Sequence, residues 1–378
     1  MPARALQLYP CWPVIEQRFG ESVPFSVGVE EEVMILDAET LLLSPSVETL
    51  TAGAERLGLP GRLKTELFAS VVELNTDVAD SVSDAAEALQ ALRAGADVVA
   101  REHGLRIAAA GSHPVSPPEQ EEIAPDPRYH EFVAYAGISA RRQGVSGLHV
   151  HVGMTSAHSC FATLEAVLPW LPVVLALSAN SPYLSGRESG HLSVRAQVLA
   201  ELPRSGAPPP FGSYEEWEVF VERYVELGLA DGYTRFWWDI RPHPSFGTLE
   251  IRMPDQPTSL ERTIAFAALL QALCVALADR PPRGGAAARG DYAQNRWAAL
   301  HDGPRAKLVH PYRRELLAAA GLAEELLGLV GEPARELGTL ELLTPLETGG
   351  CEADRQLEVG RERGLEAVCA DLVERTVG

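Results

Sequence analysis

Residues 27–37 read VGVEEEVMILD, three glutamates set inside an otherwise apolar run. Val27, Val29, Val33, Ile35 and Leu36 favour a strand. Side chains alternate across a strand, so Glu30 and Glu32 point one way and Glu31 the other. Carboxylates taken out of water are costly unless positive charge meets them. What meets these acids decides how the chain folds and what it does.

Two further segments carry the same period. GLHVHVGM (147–154) sets His149 and His151 on one face and Leu148, Val150 and Val152 on the other. TLEIRMPD (248–255) sets Glu250 and Arg252 against Leu249, Ile251 and Met253. Each strand has an apolar side to bury against helices and a polar side bearing acids, imidazoles or a guanidinium. A solvated sheet face usually mixes Thr, Ser and Lys. A convergent set of carboxylates and imidazoles points instead to divalent cations, Mg²⁺ or Mn²⁺. KTELFASVVEL adds Glu66 and Glu73, seven residues apart, a spacing that suits two helical turns or a strand–turn–strand crossing.

The 378 residues, 46% of them hydrophobic, suffice for a large core. A net charge of −20 speaks against nucleic acid and against anionic membrane surfaces as partners. Lys64 and Lys307 are the only lysines; arginine carries nearly all the positive charge. Five scattered cysteines, with no CxxC pair, read as reduced thiols and a cytoplasmic setting. No leader and no uninterrupted apolar run of about 18 residues is evident, so no membrane span is expected.

Along the chain, residues 1–23 read as an extension or an extra strand-turn, with one domain over 24–378. Strands are expected at 24–36, 105–114 (ending in a turn), 147–154 and, paired around a turn at 242–247, within 235–255. Helices are expected at 46–58, 81–104 with a cap-like start at Ser83 to Glu87, 160–180, 213–229 and 259–279. Residues 115–128, 182–213 and 280–291 read as loops, and the remainder as helices broken by Gly and Pro. No phosphate-loop or dinucleotide glycine motif occurs. The sum is an α+β fold, a largely antiparallel sheet with helices on one face and polar side chains on the other.

GVEEE, ELFASVVELNT, AAGSHP, SGLHVHVG, ALSANSPYLSG, WWDIRPHPSFGTLEIRMPDQP and NRWAAL occur in order from about residue 24 onward. In these segments the chain resembles the type 2 glutamate–cysteine ligases, also called carboxylate–amine ligases. The resemblance implies a glutamine synthetase-like core, a curved sheet holding metals and ATP on its concave face. It implies ATP-dependent amide formation through an acyl phosphate, with ADP and phosphate released, from glutamate and cysteine. Metal ligands carried over by resemblance are Glu30, Glu32, Glu66, Glu73, His149, His151 and Glu250. Arg252 would contact the transferred phosphate, and Arg195 a substrate carboxylate. For Arg241 and Arg296, phosphate binding and structural pairing compete. The same two-way choice holds for His113, between site rim and turn, and for Trp237 and Trp238, between core and adenine pocket. His103, His130, His158, His301 and His310 read as surface residues. A homodimer is also implied by the resemblance.

Two other readings use the same residues. His-x-His on a strand also serves metal-dependent amidohydrolases, where a metal activates water. A homologue that binds nucleotide or metal without catalysis is the third. Nucleotide titration separates the hydrolase from the ligase, and Glu30→Ala separates a catalyst from a binder.

Overall fold

The computed structural model describes residues 15–278, 280 and 285–377. Cys11 and most of the expected N-terminal extension therefore lie outside the described residues, as does 281–284 of the expected 280–291 loop. The described stretch before the first strand carries turns and no strand, and straps across the sheet end through Arg18 N to Pro244 O (3.0 Å) and Gly20 N to Met154 O (2.8 Å).

The strands are β1 Val27–Asp37, β2 Gly61–Thr65, β3 Val71–Thr76, β4 Leu105–Ala108, β5 Leu148–Gly153, β6 Tyr183–Leu184, β7 Arg187–Glu188, β8 Ile240–His243, β9 Thr248–Ile251, β10 Lys307–Val309 and β11 Leu316–Ala318. Seven form one antiparallel sheet, in the order β2-β3-β1-β5-β9-β8, with β4 pairing the far end of β1. This is the expected α+β architecture.

The apolar sides of β1, β5 and β9 (Val27, Val29, Leu148, Val150, Val152, Leu249, Ile251) are buried. They share one core with Leu89 of the helix Val82–Glu102, Leu164 of the helix Ala157–Val167 and Phe266 of the helix Leu260–Leu277. The first of these helices is capped two residues earlier than expected, because Ser81 rather than Ser83 accepts from Asp84 N (3.2 Å). The expected 160–180 helix is two helices, Ala157–Val167 and Leu171–Ser178, split by a 3₁₀ turn containing Pro169. Segments 157–178 and 260–277 are long and apolar enough on average to cross a membrane, but 89% and 67% of an 18-residue window in each is buried inside the protein.

Part of the 182–213 loop is ordered, as the β6–β7 hairpin and the helix Val194–Leu199, which Ser193 caps. The 280–291 loop gives way to a helix at Ala286. The β10–β11 hairpin interrupts the C-terminal helices; its three-residue strands are too short to display an alternation.

Candidate active site

Antiparallel register turns the i, i+2 pairs into rows across the polar face. Lys64, Glu73 and Glu32 form one row over β2, β3 and β1. Asn75, Glu30 and His149 form the next, over β3, β1 and β5. Gly28, His151, Glu250 and Arg241 form the third, over β1, β5, β9 and β8. Glu66, in the turn between β2 and β3, joins the group from above, so the spacing of seven is a strand–turn–strand crossing.

Contacts within the rows are close. His149 Nδ1 lies 3.3 Å from Glu30 Oε2, and its Nε2 lies 3.8 Å from Glu32 Oε1. His151 Nε2 is 3.6 Å from Glu30 Oε1, while its Nδ1 meets Thr248 Oγ1 at 2.9 Å. Asn75 donates to Glu30 (2.9 Å), and the Gly147 amide donates to Glu32 Oε2 (2.5 Å). Arg241 and Arg252 both donate to Glu250, each at 2.5 Å. The third glutamate of the opening run faces the helices instead: Glu31 takes Arg93 Nε at 2.8 Å and Nη2 at 2.6 Å, with Thr263 and Gln256 completing its shell. Arg93 was not foreseen.

The charges are unequal in cost. Burial opposes the ionisation of Glu30, but His151 and His149 outweigh it and hold its carboxyl well below the usual range. Glu250 is likewise held well below it, with Arg241 and Arg252 overcoming burial. Burial, then repulsion from Glu32, pushes Glu66 up to about 7. Glu73 is raised well above the ordinary carboxylate value by burial and by Glu30 and Glu66. Burial and Arg252 lower His149, favouring the neutral imidazole that binds metals.

Among the described residues, two sets of groups offer ligand atoms within 4.8 Å of one another: Glu30, His149 and Glu250, and Glu32, Glu73 and His149. The Nε2 atoms of His149 and His151 are buried and lack a hydrogen-bond partner. Orphaned imidazole nitrogens beside mutually repelling carboxylates fit a divalent cation of the Mg²⁺ or Mn²⁺ type.

Two cavities flank this cluster, and β1 and β5 contribute residues to both. The larger, about 490 Å³, is lined by Glu30 and His151 and by Arg18, Arg62, Lys64 and Phe246. Phe246 is 54% exposed and stacks on His243, with centroids 4.0 Å apart and planes at 18°. The smaller, about 150 Å³, is lined by Glu32, Glu66, His149, Arg195, Arg252 and Trp237.

The structure thus brings together Glu30, Glu32, Glu66, Glu73, His149, His151, Glu250 and Arg252. Arg195 also lines the smaller cavity. Its Nη1 and Nη2 bind the Met253 and Arg252 carbonyls (both 3.1 Å), and its buried Nε has no partner. It lies so close to Gly147 that a Cβ there would sit 2.0 Å from Nη2. Arg241 and Arg296 line neither cavity: Arg241 spends its donors on Glu250, Thr234 O and Phe236 O, and Arg296 on Asp239 and Ala196 O. His113 holds a turn, its Nδ1 accepting from Val115 N and Ser116 N and its Nε2 meeting Leu41 O. Trp238 is core, whereas Trp237 lines the smaller cavity. His310, read as a surface residue, is buried, because its ring ties Tyr312 N and Arg313 N to Glu325. Arg62, Asn75 and Phe246 escaped notice, and Lys64 stood out only as one of two lysines; the alternation of Arg62 and Lys64 along one short strand was the available signal.

The profile described as Glutamate-cysteine ligase family 2 matches residues 26–371. A Rubrobacter xylanophilus protein provisionally named glutamate–cysteine ligase 2-3 is 40% identical over 96% of this chain and 100% of its own length. A Sorangium cellulosum protein provisionally named glutamate–cysteine ligase 2 is 37% identical over 93% of this chain and 96% of its own. Among solved structures, a Francisella tularensis glutamate–cysteine ligase in complex with AMP superposes with a TM-score of 0.70 at 15% identity, over 94% of this chain and 89% of that one. A bifunctional glutathione synthetase from Pasteurella multocida gives 0.66 at 17% identity, over 93% and 52%. At these identities the structural likeness shows the fold alone.

Proposed function

The chain belongs to glutamate–cysteine ligase family 2, and on that premise we propose that it is an ATP-dependent ligase that joins a carboxylate to an amine through an acyl phosphate. One observation carries the reading: two cavities meet along a single line of carboxylates and imidazoles, the larger lined by cations and an exposed ring, the smaller by arginines. The nucleotide occupies the larger cavity, its base against Phe246 and its phosphates near Arg18, Arg62 and Lys64. The Francisella tularensis ligase of like fold was solved with AMP, which supports nucleotide use here.

The donor carboxylate lies in the smaller cavity, near Arg252 and Arg195. Its oxygen attacks the γ-phosphorus at the junction, the bond from that phosphorus to the ADP oxygen breaks, and an acyl phosphate results. The amine lone pair then attacks the acyl carbon, phosphate leaves with the electrons of the C–O bond, and the nitrogen gives up its extra proton. Such transfer depends on positioning and charge neutralisation more than on covalent help from the protein. Arg252 meets the negative charge that gathers on the transferred group, and Arg241 keeps Glu250 from swinging away with it. Glu30, His149 and Glu250, or Glu32, Glu73 and His149, would hold a divalent cation, which would supply neutralisation of phosphate charge. Glutamate and cysteine are the substrates the family name suggests, and buried free thiols at Cys160, Cys274, Cys351 and Cys369 suit a cytoplasmic setting.

The amidohydrolase reading loses its support, since the strands pair antiparallel rather than alternating with helices in a parallel barrel. The test is ADP release by the purified chain with ATP, Mg²⁺ or Mn²⁺, glutamate and a panel of amines. Release dependent on both substrates is expected; none with any donor and amine would overturn the reading.

A further inference from the structure

Gln143 lines the smaller cavity and is 8% exposed. Every polar group it carries but one is committed. Its backbone N–H donates to Ala140 O (3.1 Å), and its backbone carbonyl accepts from Val145 N (2.7 Å). Its Nε2 donates to Ser139 O (2.9 Å) and to Val198 O (3.1 Å). Those two carbonyls fix which end of the amide is nitrogen, since only the NH₂ group can donate to both. The remaining atom, Oε1, is buried and has no partner among the described residues. An acceptor shut away in that state is costly until a donor reaches it.

Arg195 is the complementary case, with both Nη atoms on carbonyls and a buried Nε–H that has no partner. The two residues share one frame. Arg195 and Val198 are three residues apart on the helix Val194–Leu199, hence on neighbouring parts of one face. Gln143, tied to the Val198 carbonyl, therefore stands about one helical turn beyond Arg195. Arg195 itself lies at the sheet end, against Gly147, whose amide holds Glu32. Outward from the carboxylate row, the wall presents the Arg252 guanidinium, then the free Nε–H of Arg195, then the free Oε1 of Gln143. A guanidinium N–H favours an anion, and an amide oxygen favours an N–H donor. The acids of this cavity, Glu32 and Glu66, stand at its inner end, where the reacting carboxylate has to meet the γ-phosphate.

Resting on the ligase reading, we propose that Gln143 is a specificity-determining residue of the donor site, its Oε1 accepting a hydrogen bond from the donor's ammonium group. Arg195 Nε meets the carboxylate on the same carbon, and the far carboxylate lies at Arg252, ready to take the phosphoryl group. Gln143 thereby selects an amino dicarboxylate over a plain one.

The probes are glutamate and glutarate, which differ only in the ammonium group, offered to the full-length chain with ATP, Mg²⁺ and cysteine. The expected result is a kcat/KM for glutamate at least tenfold above that for glutarate, as for a site left with an unpaired buried acceptor by the poorer substrate. Gln143→Met keeps the side-chain length and removes the acceptor, so the ratio of the two values should fall at least fivefold. That ratio does not depend on how much of the variant is folded. Should Gln143→Met yield no folded chain, Gln143→Asn, which withdraws the amide by one methylene, is read in the same way. Equal use of the two acids by the unaltered chain, or an unchanged ratio in the variant, would overturn the inference and leave the ligase reading standing. Absence of ADP release with every donor and amine would instead count against that reading. Isothermal titration of the two acids then decides Gln143 by itself: tighter binding of glutamate that the variant loses supports the assignment, and equal affinity refutes it.

Discussion

Arg252 Nη1 lies 2.5 Å from Glu250 Oε1, two residues back along its own chain, and 3.5 Å from His149 Nδ1. One guanidinium thus touches both a carboxylate and an imidazole of the candidate cation site, while its side chain borders the smaller cavity. Arg241 grips the other oxygen of Glu250, so the carboxylate stays paired when Arg252 is removed.

Arg252→Met should therefore lower kcat by about 10² to 10³, the scale of losing one aligned charge donor. The melting temperature should change little. Steady-state kinetics with a thermal melt checks both. A KM increase with kcat intact would assign Arg252 to ground-state binding instead.

Nucleotide contacts are separable from that effect. Lys64→Met and Phe246→Ala should each raise the KM for ATP several-fold, with the glutamate KM nearly unchanged. Lys64 is 3.8 Å from Glu73, so its loss also removes a partner from an acid already crowded by Glu30 and Glu66. Isothermal titration with ATP reads the change directly, and unchanged affinity in both variants would move the nucleotide elsewhere.

On the opposite face of the sheet, Arg93 and Glu31 form a fully buried pair. Replacing only Arg93 by Met leaves a carboxylate in the core without its cation. Such a loss destabilises by about 3–5 kcal/mol, and Glu31→Gln added to it should recover part of the deficit. Urea denaturation of the two variants measures the difference. A loss under about 1 kcal/mol for Arg93→Met would contradict the role given to the pair.

His113 supplies a pH signature. Burial lowers its imidazole from 6.5 to about 4, so the folded chain binds fewer protons there than the unfolded one. Its stabilising contribution is complete above pH 6.5, declines as pH falls, and is gone below about 4. The full span amounts to about 3 kcal/mol. His113→Gln should be less stable than the parent at pH 7, and the gap should narrow as the pH drops to 4. A gap that stays constant with pH would assign the residue no titrating role.

Much of the fold and of the polar face could be read from the sequence, because period-two alternation assigns faces without knowledge of partners. Glu30 with Glu32, His149 with His151, and Glu250 with Arg252 were placed this way, and antiparallel register then aligned them. Arg93 could not be read. It lies 62 residues from Glu31, on a helix whose pattern accommodates an arginine as readily on its exposed side. Arg241 and Arg296 illustrate the converse, since an arginine within a familiar segment looks the same whether it faces a ligand or an aspartate. His310 looked ordinary because the backbone amides and the glutamate that hold its ring are made neighbours by a turn.

The cation site bears most directly on the central claim. Anomalous scattering from crystals grown with Mn²⁺ and a non-hydrolysable ATP analogue tests it. The account predicts manganese peaks among Glu30, His149 and Glu250, or Glu32, Glu73 and His149, lost in Glu30→Gln and His149→Ala. Nucleotide bound with no metal against any of these residues would contradict it.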